Sequence, residues 1–307
     1  MPFKSGYVAI VGRPNAGKST LVNTLVGRKV AIVSPRPQTT RNRIQGIVNR
    51  DDAQIVLVDT PGIHKPDSLL NRQMMDEVAQ AMEGIDVLNL IVDSTQEFGP
   101  GDRFTIEWIR RFRGPVYLLL NKIDRMRKQM LLPLIDRFRQ EFEFTEVFPI
   151  AAISGEGCDE LVKAWLSHLP EGPPLFPPDQ FTDQPERFLA AEMIREKAIL
   201  ATKEEVPHAV AVLVDSFDET EKLIRIRATL YVEREGQKGI LIGKRGDTMK
   251  KIGTEARKDL EEILGAHVFL ELFVKVQPDW RQNAAIVKQL DWHRQLEQLA
   301  DRQQDGT

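Results

Sequence analysis

Five apolar runs punctuate the first half of the chain: YVAIVG, QIVLVD, VLNLIVD, VYLLLN and VFPIAA, at residues 7–12, 54–59, 87–93, 116–121 and 147–152. Each has the length of a strand, and none alternates cleanly between apolar and polar positions. Strands that are apolar on both faces belong to a parallel sheet covered by helices on each side. Between them, residues 18–26, 71–82, 104–112 and 131–142 carry apolar side chains at helical spacing. The pattern predicts an α/β domain over residues 1–172, three-layered and with a mostly parallel sheet.

The alternation stops at residues 169–187, LPEGPPLFPPDQFTDQPER, where six prolines remove backbone donors and exclude helix or central strand. This segment reads as a stiff linker, assigned to residues 173–186, that holds two domains at a preferred separation. Beyond it the order changes. A helix is predicted over 186–203, strands near 209–216 and 223–233, helices at about 239–243 and 247–264, and a strand near 267–276. That order, α-β-β-α-α-β, describes a separate α+β domain over 187–278. A last helical segment is expected over 279–301, within a C-terminal region running to residue 307.

Composition changes this picture little. A chain of 307 residues holds about two domains, and 42% hydrophobic with 28% charged residues excludes both a disordered and a membrane-spanning protein. No apolar run reaches the roughly 20 residues needed to cross a bilayer. A single cysteine, Cys158, suits a reducing compartment, so a cytoplasmic monomer is expected, with peripheral contact at the inner membrane left open. The net charge of −3 conceals an asymmetry: residues 222–258 hold 11 Lys or Arg against four Asp or Glu. Gathered on one face, such a stretch attracts phosphates; spread out, it is a solvated surface.

The chemistry begins at Gly12-Arg13-Pro14-Asn15-Ala16-Gly17-Lys18-Ser19, with Thr20 following, between a strand and a helix. There the glycines permit a tight turn whose amides face a β-phosphate, and the helix adds its positive end. Lys18 bridges β- and γ-phosphates and the Ser19 hydroxyl is placed to ligate Mg2+. Asp59-Thr60-Pro61-Gly62 ends the strand IVLVD, where an aspartate reaches the metal and the Gly62 amide turns to a γ-phosphate; a plain turn would look similar. The polar loop 34–41 reads as a switch segment, with Thr40 as a metal ligand and Thr39 as the alternative. Asn121-Lys122-Ile123-Asp124 follows the strand VYLLL; Asp124 accepts from guanine N1 and its amine, which selects GTP over ATP.

Together GRPNAGKS, QTTR, DTPG and NKID, with RFLAAEMIREK, YVEREGQK and IGTEARKDLE further on, resemble the Era family of translation-factor-class GTPases over nearly the whole chain. The resemblance implies a P-loop GTPase domain followed by a type II KH domain. It also implies GTP and GDP as ligands, and the 3′ region of 16S rRNA and the 30S subunit as partners. It assigns Asn15 to a K+ ion that activates hydrolysis, the alternative being a turn asparagine. Two departures stand out. Ile63 follows DTPG and cannot orient a water as a glutamine does. In Pro149-Ile150-Ala151-Ala152, Ala151 replaces the family's serine, so the guanine O6 contact is expected from the Ala152 amide, at a net loss of about 1 kcal/mol.

In the second domain Gly243-Lys244-Arg245-Gly246 is a GxxG loop between two helices, the signature of a KH groove. Its glycines allow close approach of a nucleic-acid strand, Lys244 and Arg245 face phosphates, Ile240 and Ile242 line the base groove, and Lys250 and Lys251 follow one turn on. The function expected is a GTPase switch that binds small-subunit rRNA and acts in 16S rRNA processing and 30S assembly. A GTP-dependent RNA scaffold and a membrane-associated signalling GTPase are its rivals. Trp108 and Trp165 are expected to pack in the first domain, whereas Trp280 and Trp292 either dock or face RNA.

Overall fold

The structure is a computed structural model that describes residues 2–203, 206–220 and 223–292. It divides into two compact units, one of Met1–Pro66 with Gln73–Asp183, the other of Asp67–Arg72 with the chain from Gln184.

The first unit holds β1 (Lys4–Val11), α1 (Lys18–Val26), β2 (Ile44–Asn49), β3 (Ala53–Asp59), α2 (Leu69–Ala81), β4 (Val87–Asp93), α3 (Pro100–Ile109), β5 (Val116–Asn121), α4 (Leu131–Arg139), β6 (Glu146–Pro149) and α5 (Cys158–His168). The sheet order is β2-β3-β1-β4-β5-β6, parallel except for β2, which runs antiparallel to β3. Alternate side chains along the central strands feed two cores. On one face Ile10, Leu57, Ile91 and Leu119 pack under α1 and α5; on the other Val11, Val58, Leu90 and Leu120 pack under α2, α3 and α4. Trp165 is fully buried in the first core, its indole N–H donating to Asn89 Oδ1 at 2.9 Å, and Trp108 packs against the second.

β2 is the strand that periodicity overlooks. Its sequence IQGIVN carries Gly46, a residue that usually weakens strands. Here a Cβ at Gly46 would stand 2.8 Å from methyl groups of Val22 and Val26, so the glycine lets α1 lie directly on the sheet.

The proline-rich segment lies along the first unit. Ile47 donates its amide to Phe181 O at 2.9 Å, the Thr182 hydroxyl donates to Gln45 O at 2.7 Å, and Gln54 receives the amides of Leu175 and Phe176 at 2.7 and 2.8 Å. Residues read as a stiff linker between domains are therefore hydrogen-bonded to β2 and β3.

The second unit contains α6 (Glu186–Ala201), a short α7 (Val206–Ala209), β7 (Ala211–Glu219), β8 (Leu223–Val232), α8 (Glu235–Ile242), α9 (Asp247–Leu264), β9 (His267–Val276) and α10 (Ala284–Gln289). Its sheet has the order β7-β8-β9, antiparallel between β7 and β8 and parallel between β8 and β9. Apart from α7, this is the predicted order. The single helix expected over 279–301 is not seen as such: a 3-10 turn at Trp280–Gln282 precedes α10, whose N-cap Asn283 accepts from Ala285 and Ile286, and residues 293–301 lie outside the described part. Trp280 and Trp292 are both buried; the first donates to Ala209 O at 2.7 Å and the second stacks near Phe188, so both dock rather than face solvent.

Candidate nucleotide and nucleic-acid sites

The ends of β1, β3, β4 and β5 converge on a cavity of about 670 Å3, of a size for a nucleotide. At its floor runs the loop from Gly12 to Ser19. Asn15 has φ 63° and Gly17 φ 103°, both left-handed, and a Cβ at Gly17 would stand 2.1 Å from Asn121 Nδ2. Only glycine fits there.

Lys18 is 6% exposed and its ammonium donates to the carbonyls of Gly12 and Arg13 at 3.2 and 3.0 Å. Burial lowers its pKa to about 8, against the opposing pull of the Asp59 carboxylate. Asp59 is fully buried, and burial raises it to about 6 against the stabilising effects of Lys18, Ser19, Thr60 and Thr40. The Ser19 hydroxyl donates to Asp59 Oδ2 at 2.6 Å and lies 2.9 Å from Thr40 Oγ1. Asp59 Oδ1 is buried with no hydrogen-bond partner. Three oxygen-bearing side chains and an unsatisfied carboxylate oxygen at one point form a donor set that fits a small hard cation. Thr39 does not join them: its hydroxyl bonds Ser34 and the Arg36 carbonyl.

The DTPG turn is clamped to the same loop. The Ile63 amide donates to Gly12 O at 3.0 Å, and a Cβ at Gly62 would stand 2.7 Å from Pro14. Ile63 itself is 2% exposed and packs into the core, so its side chain has no access to the cavity.

On the far side, Asn121 ties three segments together. It donates to Ala16 O at 2.8 Å and accepts from the Ala152 amide at 2.9 Å. Lys122, at φ 67°, donates to Asn15 O at 2.8 Å and to Asp93 Oδ2 at 2.6 Å. Asp124 and Ala152 line the cavity.

Several expected contact residues do not line the cavity, and others are engaged within the protein. The Thr60 hydroxyl points away, donating to Ile10 O at 2.9 Å, and Thr60, Pro61 and the fully buried Ala151 lie behind the cavity wall. The Arg13 guanidinium turns to Asp102 at 3.0 Å. The Ala152 amide assigned to guanine O6 is engaged by Asn121, because the loop uses it to close on β5. Conversely, Asp93 was not foreseen. Its Oδ1 accepts from the Thr95 amide and hydroxyl at 3.0 and 2.6 Å; although burial pushes its pKa up, hydrogen bonds from Lys122 and Thr95 hold it below the usual value. The signal was present, since Asp93 ends the strand VLNLIVD as Asp59 ends IVLVD. Ile153, 69% exposed and on the cavity rim, carried no such signal.

In the second unit, α8 ends on Gly243 at φ 74°, where a Cβ would stand 2.2 Å from Thr248 Oγ1. Arg245 at φ 56° and Gly246 at φ 84° complete a tight turn into α9. The turn leaves Lys244 and Arg245 exposed, with Lys250 and Lys251 exposed on the next turn of α9. Ile240 and Ile242 are 46% and 37% exposed while Leu241 between them is fully buried. This is an apolar surface rimmed by cations, the form of a groove for a single nucleic-acid strand.

A family described as 50S ribosome-binding GTPases matches residues 7–122, and the KH domain family matches residues 205–281. Among solved structures, the chain is similar to Era in complex with MgGDPNP and nucleotides 1506–1542 of 16S ribosomal RNA, at 45% identity, covering 94% of this chain and 98% of that one with a TM-score of 0.91. It is also similar to a variant of Aquifex aeolicus Era bound to GDP.AlF4−, at 44% identity over 94% and 99% of the two chains, with a TM-score of 0.90. A P-loop cavity, a GKRG turn in an α-β-β-α-α-β unit, and this identity across both chains place the protein in the Era family of GTPases.

Proposed function

We propose that this chain hydrolyses GTP as a switch and binds small-subunit ribosomal RNA through its KH unit, acting in 16S rRNA processing and 30S subunit assembly. The observation that carries the reading is the occurrence of two sites: a nucleotide cavity lined by Lys18, Ser19 and Thr40 with Asp59 hydrogen-bonded to Ser19 beneath, and an exposed apolar surface bordered by cations at the GKRG turn. The relatives with MgGDPNP, GDP.AlF4− and 16S rRNA support it.

In this reading Ser19, Thr40 and the unpartnered oxygen of Asp59 would hold Mg2+, which would supply charge neutralisation at the phosphates. Lys18 leaves the Gly12 and Arg13 carbonyls for the phosphates, the loop amides cradle them, and Gly62 faces the γ-phosphate. Asn121 and Lys122 fix the base loop and Asp124 reads the guanine edge. No side chain in the cavity serves as a strong general base, and the buried Ile63 orients no water. Positioning and charge supply the catalysis, so unaided turnover is slow.

Asn15 bears on what completes the site. Its left-handed φ of 63° suits an asparagine in a turn, and its side-chain amide donates to Pro35 O at 2.9 Å, which brings Asn15 against loop 34–41. That supports K+ as an activator placed where an arginine finger acts in other GTPases. Turnover is expected to be at least about 10-fold faster in K+ than in Na+, and Asn15→Ala to abolish the difference; equal rates in both salts sink the assignment.

The RNA arm is tested by a fragment of the 3′ region of 16S rRNA. Lys244→Glu with Arg245→Glu is expected to reduce its binding by more than about 100-fold at low salt, leaving GTP affinity unchanged. Acceleration of hydrolysis by the same fragment separates the switch from a scaffold that merely holds GTP. Among the described residues no helix is long and apolar enough to cross a membrane.

A further inference from the structure

The three-stranded sheet of the second unit has two faces of different chemistry. Ile224, Ile226, Ala228, Leu230 and Val232 on β8 and Val268 on β9 are buried, and Leu272 lies 3.6 Å from where a Cβ on Gly253 of α9 would stand. That face is the core. Because side chains alternate, Arg225, Arg227, Thr229 and Tyr231 of β8 and Phe269, Glu271, Phe273 and Lys275 of β9 turn to the other face, where Thr229 is itself buried. The parallel register sets Arg225 beside Phe269, Thr229 beside Phe273 and Tyr231 beside Lys275.

Phe269 and Phe273 are 49% and 46% exposed. They are the two aromatic residues among the ten exposed large hydrophobics of the described chain, and both sit on one face of one strand. A phenylalanine has no polar handle, so leaving two uncovered marks a surface that meets something flat and apolar. Each ring has cationic company: the Arg225 guanidinium lies 5.9 Å from the Phe269 centroid, and Lys275 neighbours Phe273 along the strand. Arg227 is held by Glu271 at 3.4 Å between the two rings. On β7, Asp215 is tied to the Thr229 hydroxyl at 2.7 Å and Asp218 pairs across from Arg225, so acidic groups border the β7 side and cations dominate on β8 and β9.

We propose that the outer face of β8 and β9 is a stacking platform for single-stranded RNA that continues beyond the GKRG groove, a proposal that rests on the RNA reading above. β9 is the edge strand of the sheet, and α8, which leads into the GKRG turn, packs against it. In this proposal an RNA strand leaving the GKRG turn crosses β9, whose exposed rings are Phe269 and Phe273. The rings are about 13 Å apart along the strand, so each serves its own base, while Arg225 and Lys275 meet phosphates. Exposed aromatics with interleaved cations on an open sheet are the chemistry by which RNA bases are held without sequence readout. The platform lengthens the bound tract from about four nucleotides to a longer one.

Two RNAs test this on the full chain: a tetranucleotide that fills the groove alone and an unstructured oligomer of about twelve nucleotides. Phe269→Ala with Phe273→Ala is expected to weaken the longer RNA at least about 10-fold, and the tetranucleotide less than about 2-fold. Phe269→Leu with Phe273→Leu keeps an apolar surface but removes the rings, and is expected to weaken the longer RNA similarly; 2-aminopurine in that RNA loses its quenching in both variants. Unchanged affinity for the longer RNA overturns the proposal, as does equal weakening of both RNAs, or full retention in the leucine variant. A change of oligomeric state with RNA affinity intact assigns the face to a second copy and also overturns it. The Lys244→Glu, Arg245→Glu chain separates the two readings: if it binds the tetranucleotide normally the groove reading fails, whatever the phenylalanine variants do.

Discussion

Asp124→Asn is expected to lower GTP and GDP affinity by about 1000-fold or more and to create affinity for xanthosine nucleotides. Asp124 lines the cavity, and in the proposed reading its carboxylate is the acceptor pair for the guanine N1 and amine donors. An asparagine presents a donor where an acceptor is required, leaving buried donors face to face, which is why such substitutions cost far more than one hydrogen bond. Xanthine carries a carbonyl in place of the amine, so the asparagine amide has a partner again. Titration of the variant with GDP and XDP decides the matter. Undiminished GDP affinity would remove Asp124 from the base site, while loss of both nucleotides would show a collapsed loop.

Lys18→Ala is the second change with a large expected effect, about a 100- to 1000-fold loss of turnover, and its pH signature is more informative than its size. Without nucleotide, burial sets the Lys18 ammonium at about 8 and the Asp59 carboxyl at about 6. Above about pH 8 Lys18 loses its proton and with it the attraction for phosphate; below about pH 6 Asp59 gains one and gives up its hold on the metal. Affinity for Mg-nucleotide is therefore expected to be greatest between these values and to fall on both sides. In Lys18→Ala the alkaline limb disappears. The acid limb moves upward, because the lysine charge that was lowering Asp59 is gone. An acid limb that stays in place would mean that the two groups are not coupled.

The parts of the fold legible in the sequence were those with a strong local signal. Uniformly apolar strands, helical spacing in α1 and α9, and the GKRG turn each carry their own instructions. What escaped depends on neighbours distant in sequence. β2 forms because Gly46 lets α1 descend onto it, a fact about Val22 and Val26 rather than about IQGIVN. α5 is absent from the helices that spacing predicts, although Trp165 is expected to pack in the first domain; the partner of its buried indole is Asn89, 76 residues away.

The nucleotide site divides in the same way. Residues with one chemical task, Lys18, Ser19 and Asp59, lie where the motif puts them. Thr40 is separated from Thr39 only by the direction each hydroxyl takes in the folded loop. The Ala152 amide, expected to meet guanine O6, donates instead to Asn121 Oδ1 in the folded loop. Asp93 belongs to none of the motifs; its place in the site shows only in the folded loop, where it meets the Lys122 ammonium at 2.6 Å.

The segment from Pro170 to Asp183 has one further consequence. β2 pairs with β3 on one side only, and its other edge is met by Phe181 and Thr182, with Gly46 bridged to Thr182. An uncovered strand edge is a template for the next chain, and proteins guard such edges with segments that cannot propagate pairing. Phe181 and Thr182 cover the edge, and the prolines that flank them at 177, 178 and 185, having no amide to donate, keep the added pairing short. A GTPase fragment cut at residue 172 would bare that edge and invite intermolecular strand pairing, whereas one carried to Asp183 would keep its guard.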